Sequence, residues 1–247
     1  MLAFLHQRCG VHEVETGNPD LVLEVMDLPG PTPSRAARVP QPGFDLTWDG
    51  TRHHFVRDGF ELELETQPDG HARATCRCSP TPLLPDQALR LCLSVLLPLR
   101  GSLMLHGSAA ARDGRGYLFT GPSGSGKSTT LKLLADVPRV RAIGDEIVVV
   151  HVATGEATVG STPFSDLPSR LPAEAPLVRA FVLVPPSAPP SSRKDCLTRL
   201  LPNVLTHGGS PEVVQSILRN AEALIGRVDF RELYRPTREQ LAQALQG

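Results

Sequence analysis

Eight consecutive residues, Gly121-Pro122-Ser123-Gly124-Ser125-Gly126-Lys127-Ser128, fill every fixed position of the pattern G-x-x-x-x-G-K-[ST]. Glycines let a backbone curl until successive N–H groups point inward at an anion. A lysine and a hydroxyl closing that curl suit a triphosphate. Lys127 would reach the β- and γ-phosphates, and the Ser128 hydroxyl would ligate magnesium. The expected nucleotide contacts are Gly121, Pro122, Ser123, Gly124, Ser125, Gly126, Lys127, Ser128 and Thr129, with a nucleoside triphosphate and Mg²⁺ as ligands.

Two further groups stand near this motif in sequence. Asp145-Glu146 precedes the apolar run Ile147–Val152. Magnesium needs hard oxygen ligands, and a transferred phosphoryl group needs a base near its acceptor. Adjacent carboxylates at a strand edge supply both, with Ser128 and Asp145 as metal ligands and Glu146 as base, or Asp145 if the roles swap. His106, in Leu105-His106-Gly107-Ser108, lies on an expected strand beside the one feeding the motif, where an imidazole can contact a γ-phosphate or orient an acceptor. The catalytic candidates are therefore His106, Lys127, Asp145 and Glu146. A switch-type GTPase would need an Asn-Lys-x-Asp guanine reader, and the sequence has none.

The elements that must position these groups are partly legible. Tyr117–Thr120 reads as a strand entering the motif and Thr129–Ala135 as a helix leaving it, with its positive dipole end at the loop. Ser102–Ala111 reads as the preceding strand, turned at 112–116, and Leu177–Val184 as a buried strand. Helices are expected at Asp86 to about Leu97 or Leu99, Lys194–Leu205, Pro211–Ile225 and Thr237–Leu245, and a short strand at Arg227–Tyr234. Upstream, Asp49-Gly50, Asp58-Gly59 and Asp69-Gly70 punctuate the runs 51–57, 60–66 and 71–78, an antiparallel meander, with an earlier strand at Leu21–Met26. The proline-rich stretches 29–43 and 185–192 are expected to be loops. The fold expected is α/β: a P-loop nucleotide-binding domain with a mixed sheet over 84–247, preceded by a small β-rich domain over 1–83.

In this order Leu105-His106-Gly107-Ser108, Gly121–Ser128 and Gly144-Asp145-Glu146 resemble the catalytic domain of the HPr kinase/phosphorylase family, which is similar in core architecture to ATP-dependent phosphoenolpyruvate carboxykinase. The resemblance is specific over about 101–152 and weaker through Thr162-Pro163-Phe164 to Val228–Leu233. It implies ATP-dependent phosphorylation of a hydroxyl, a serine above all, on a protein, peptide or small molecule. It also implies self-association into oligomers. The family's histidine, lysine and acidic pair match His106, Lys127 and Asp145-Glu146; the family usually has an aspartate where Glu146 stands. One alternative is a non-catalytic ATP-binding regulatory module. Another is a carboxykinase-like metabolic enzyme, with Arg170 and Arg179 as the nearest candidates for a carboxylic-acid pocket.

Bulk properties narrow the partners. A net charge of −1 and 4% aromatic residues disfavour nucleic acid and anionic membrane as partners. The most apolar window, Leu89–Leu105, is broken by Arg90, Pro98 and Arg100, and the start carries no secretory pattern, so a cytoplasmic location is expected. Five irregularly spaced cysteines suggest no disulfide framework; Cys76 and Cys78 read as small buried hydrophobes, and His6, Cys9 and His12 as part of a frayed terminus rather than a metal site.

Overall fold

Phe60, Leu62 and Leu64 alternate with Glu61, Glu63 and Glu65, a period of two that fits a strand with one dry and one wet face. The computed structural model describes residues 20–27, 44–78, 83–153, 155–165, 167, 173–184 and 192–246. The strands β1 (Leu21–Asp27), β2 (Asp45–Asp49), β3 (Arg52–Arg57), β4 (Phe60–Thr66) and β5 (Ala72–Cys78) form one sheet in the order β1-β5-β4-β3-β2. The meander from β2 to β5 is antiparallel, but β1 joins β5 in parallel, so the sheet is mixed. Phe55, Phe60, Leu62, Leu64, Ala74, Cys76 and Cys78 are buried. The glutamates face outward, where Glu61 pairs with His54 at 2.9 Å and Glu65 with Arg52 at 3.2 Å. Such exposed pairs contribute at most about 1 kcal/mol each, so burial carries this sheet.

The chain divides into two compact units, one within 1–96 and 206–214, the other within 97–205 and 215–247. This differs from the division at 83/84 expected from the sequence. Helix α1 (Leu83–Leu99) belongs up to Leu96 with the first sheet: its Cys92 raises the Cys76 thiol together with Cys78, after burial itself. Burial pushes Cys92 up to about 12. The Cys76 and Cys92 thiols form no disulfide and stay protonated at neutral pH.

Residues 206–214 join the same unit through the backbone N–H of Ser210, which donates to His53 Nε2 at 3.3 Å. His53 is buried, and its Nδ1 has no partner. Burial holds its pKa below the usual 6.5, against the pull of the Glu212 carboxylate. A folded-state pKa below the unfolded one means that the unfolded chain takes up the proton first. Stability is then full above about pH 6.5 and falls as pH drops below it. Thermal melts are expected to shift downward between about pH 8 and about pH 5.5, and less so for His53→Gln, whose amide oxygen can accept from Ser210 without titrating. Equal pH dependence in both proteins would contradict this.

The second unit is built on β6 (Ser102–Arg112), β7 (Arg115–Thr120), β8 (Val140–Gly144), β9 (Ile147–His151), β10 (Thr158–Gly160), β11 (Glu174–Leu183) and β12 (Asp229–Leu233). Their order is β10-β9-β6-β7-β11-β12, with β8 also on β6. Parallel pairs link β7 to β11 and β11 to β12; the other pairs are antiparallel. Because β10 pairs with both β9 and β11, the strands β6, β7, β11, β10 and β9 close into a ring.

Helices α2 (Lys127–Leu134) and α5 (Arg238–Ala244) supply Leu131, Leu134 and Leu241 to a core with Tyr117, Phe119, Phe181 and Leu183. Phe119 and Phe181 stack with centroids 5.3 Å apart. A capping box between Thr237 and Gln240 starts α5. Helix α4 (Pro211–Arg227) precedes β12.

The helix expected over Lys194–Leu205 is shorter. Helix α3 (Arg193–Leu200) tightens into a 3₁₀ turn at Leu201–Asn203, since Pro202 cannot donate to the helical ladder. Leu205 then donates its N–H to Met104 O.

The described residues thus form a mixed α/β structure with two mixed sheets and five α-helices. None of those helices is long and apolar enough to cross a membrane. The loop expected at 29–43, the greater part of that at 185–192, residues His6, Cys9 and His12, and Arg170 lie outside the described residues.

Candidate functional site

The site assembles where the two edges of β6 meet different partners. On one edge β7 runs alongside, with Gly107 opposite Thr120, so His106 stands next to the strand end that opens the glycine-rich loop. On the other edge β8 pairs with Ala109–Arg112 and β9 with Ser102–His106. Asp145 and Glu146 occupy the break between those two strands, and Gly107 N–H donates to Glu146 O at 3.2 Å. One strand midpoint therefore sets the histidine, the acid pair and the loop side by side.

The loop's first glycine is a steric requirement. Gly121 has φ +148°, and a Cβ there would stand 2.4 Å from the carbonyl oxygen of Leu183 on β11. Gly121→Ala is expected to destabilise the fold by about 1–3 kcal/mol, the cost of overpacking a close contact. Urea unfolding measures this, and an unshifted midpoint would contradict it. Gly107 is similarly confined, since its Cβ would lie 3.0 Å from Phe119 O.

Helix α2 begins at Lys127 behind Gly126, which has φ +99° and gives the helix no side-chain cap. The N–H groups of its first turn thus lack intrahelical acceptors, and the positive end of the helix faces the loop. Lys127 is buried, and its Nζ donates to the carbonyls of Gly121 at 2.8 Å and Pro122 at 2.9 Å. Burial lowers the Lys127 pKa, while the Glu146 and Asp145 carboxylates favour its charged form. Ser108 Oγ donates to Lys127 O at 3.2 Å and ties the helix start to β6.

Ser128 Oγ donates to Asp145 Oδ1 at 3.2 Å, and Glu146 N–H donates to the same oxygen at 3.0 Å. The Asp145 N–H donates to Ser165 Oγ at 2.9 Å. Thr162 Oγ1 donates to Ile147 O at 2.8 Å and fixes the start of β9. Glu146 adopts φ +73°, a left-handed backbone rare for a glutamate, and its Oε1 stands 3.7 Å from His106 Nε2. Holding a residue with a Cβ in that region costs about 1–2 kcal/mol, a strain typical of functional positions.

A pocket of about 280 Å³ collects His106, Ser123, Gly124, Gly126, Lys127, Ser128, Thr129, Asp145 and Glu146. Of the residues expected from the sequence, Gly121, Pro122 and Ser125 do not line it. Gly121 packs on β11 and joins Pro122 in accepting from Lys127, and Ser125 Oγ is buried in the loop without a hydrogen-bond partner. Arg179 lies elsewhere, with Nε donating to Asp229 and a second nitrogen to Ala244 O, which makes it an anchor for α5 and β12.

Ser108 and Thr162 stood within the sequence motifs without a role assigned to them, and Ser165 was not singled out. Their contacts join residues far apart in the chain, and a lone hydroxyl residue carries no spacing signal of that kind. Among the described residues no group of three or more His, Cys, Asp or Glu could hold a metal. The Ser128 hydroxyl and Asp145 carboxylate are nonetheless hard oxygens already in contact, and they fit magnesium, which takes one or two protein ligands and completes its shell with phosphates and water. A scan of protein-family models finds no match to this chain, and a search of curated proteins gives no significant one.

Proposed function

We propose that this chain is an ATP-dependent kinase that transfers the γ-phosphoryl group to a hydroxyl, a serine above all, with the second unit as a P-loop domain of the HPr kinase-like kind. The observation that carries this reading is the convergence in one pocket of Lys127, the Ser128–Asp145 contact and the Glu146–His106 pair. A site that only held nucleotide would need the first of these and not the last.

The roles follow from the contacts. Loop amides and Lys127 bind the phosphates. Ser128 and Asp145 hold magnesium, which when bound neutralises charge on the phosphate oxygens. Asp145 Oδ1 already accepts from two donors, which suits a ligand holder. Glu146 has its carboxylate toward His106 and takes the acceptor's proton, so it is favoured over Asp145 as base. His106 orients that carboxylate and, when protonated, adds positive charge beside the transferring group. Positioning and charge neutralisation supply most of the rate in such chemistry.

Incubation with γ-labelled ATP, magnesium and serine-bearing peptides or small hydroxyl compounds tests the reading. Label on an acceptor is expected. ATP retained unhydrolysed across the acceptor set would instead favour a regulatory nucleotide-binding module.

A further inference from the structure

Beside the pocket just described lies a second hollow, of about 380 Å³, bounded by loop residues 122–125 and by Val184, Tyr234 and Arg235. Its volume falls in the range of small-molecule sites. The two hollows share Ser123 and Gly124, so one loop crest separates them. We propose that this second hollow is the nucleoside subsite, in which the base of the nucleotide stacks on Tyr234. The proposal rests on the reading that the neighbouring loop holds a triphosphate.

Topology supports it first. β7, β11 and β12 run parallel, and the walls of the hollow are the residues that follow their carboxyl ends: the loop after Thr120, Val184 after Leu183, and Tyr234-Arg235 after Leu233. Ligands of α/β sheets sit outside the carboxyl ends of parallel strands. Val184 N–H donates to Leu233 O at 3.2 Å and locks two of these rims together.

The wall chemistry suits a planar aromatic ring. Tyr234 is 48% exposed, although a large apolar ring at a strand end gains by being covered. The Arg235 guanidinium lies 5.6 Å from the Tyr234 ring centroid, and Arg235 itself has φ +36°, a left-handed backbone. A tyrosine ring and a guanidinium plane are both side-chain surfaces on which nucleobases stack. The wall includes neither the acid pair nor His106, so it lacks the groups that an acceptor hydroxyl would need. A nucleotide laid across the crest would put its phosphates among Lys127, Ser128 and Asp145 and its base against Tyr234.

The test is calorimetric titration of the full chain with Mg·ATP and, separately, with magnesium and tripolyphosphate, for the wild type, Tyr234→Ala and Tyr234→Phe. Tyr234→Ala is expected to weaken ATP by roughly 10- to 100-fold, the range of one lost base stack. It should leave tripolyphosphate within about twofold, since that ligand has no base to stack. Tyr234→Phe should keep wild-type ATP affinity, because the ring and not the hydroxyl does the stacking. Unchanged ATP affinity in Tyr234→Ala would overturn the subsite while leaving the triphosphate site standing. Equal weakening of both ligands would assign Tyr234 to support of the loop and also overturn it. A wild type that binds tripolyphosphate no more weakly than ATP would do the same. A wild type that binds neither removes the triphosphate reading itself.

Discussion

Lys127→Ala is expected to abolish measurable phosphoryl transfer, a fall of at least about 10²- to 10³-fold, and to weaken Mg·ATP binding by roughly tenfold or more. Lys127 is the cation at the floor of the pocket, and Asp145 and Glu146 both act on it. Without it, bound phosphates would face two carboxylates with one fewer fixed positive charge to offset them. The effect on folding should be small by comparison. The substitution removes two hydrogen bonds to Gly121 O and Pro122 O, but it also removes a buried ammonium whose desolvation already lowers its pKa. These opposing terms leave a net change of about 1 kcal/mol. Thermal melting separates the two effects. Transfer at wild-type rates in a folded Lys127→Ala protein would contradict the assignment.

Glu146→Gln is expected to cut transfer by roughly 10²-fold or more while leaving ATP affinity within about threefold. Glutamine keeps the length and the left-handed backbone strain of the glutamate, and the bond from Gly107 N–H to the residue 146 carbonyl does not involve the side chain. What is lost is the basic oxygen and the charge facing His106. The matching change at Asp145, to Asn, should act differently: it weakens the magnesium dependence of binding, because Asp145 contacts Ser128 and not His106. Near wild-type transfer by Glu146→Gln would remove Glu146 as base and return that role to Asp145.

These expectations draw on features of unequal visibility in the sequence. The loop, its entering strand and the helix behind it were legible because a local pattern specifies them: glycines where positive φ or close approach is needed, then an apolar helical repeat. Placing His106 beside the loop was also legible, since a tight turn at 112–116 forces β6 to pair with β7. The closure of the strands through β10 was not, because it depends on short pairings with β9 and β11 that leave no period in the sequence. The parallel seat of β1 on β5 was hidden for a similar reason, as pairing across a long connection carries no turn signal. That residues 206–214 group with the first sheet was not legible, because Ser210 returns to His53 from far down the chain. Pro202 was visible and should have shortened the third helix expected. The strain at Glu146 had no sequence trace, since nothing in Gly144-Asp145-Glu146 indicates which residue takes the left-handed turn.

The most direct measurement is the position of a non-hydrolysable ATP analogue bound with magnesium, by crystallography of the wild-type chain. The metal is expected at Ser128 and Asp145, and the γ-phosphate against Lys127 with Glu146 and His106 at its open face. A triphosphate lodged away from the 121–128 loop, or acid side chains turned out of the pocket, would contradict it.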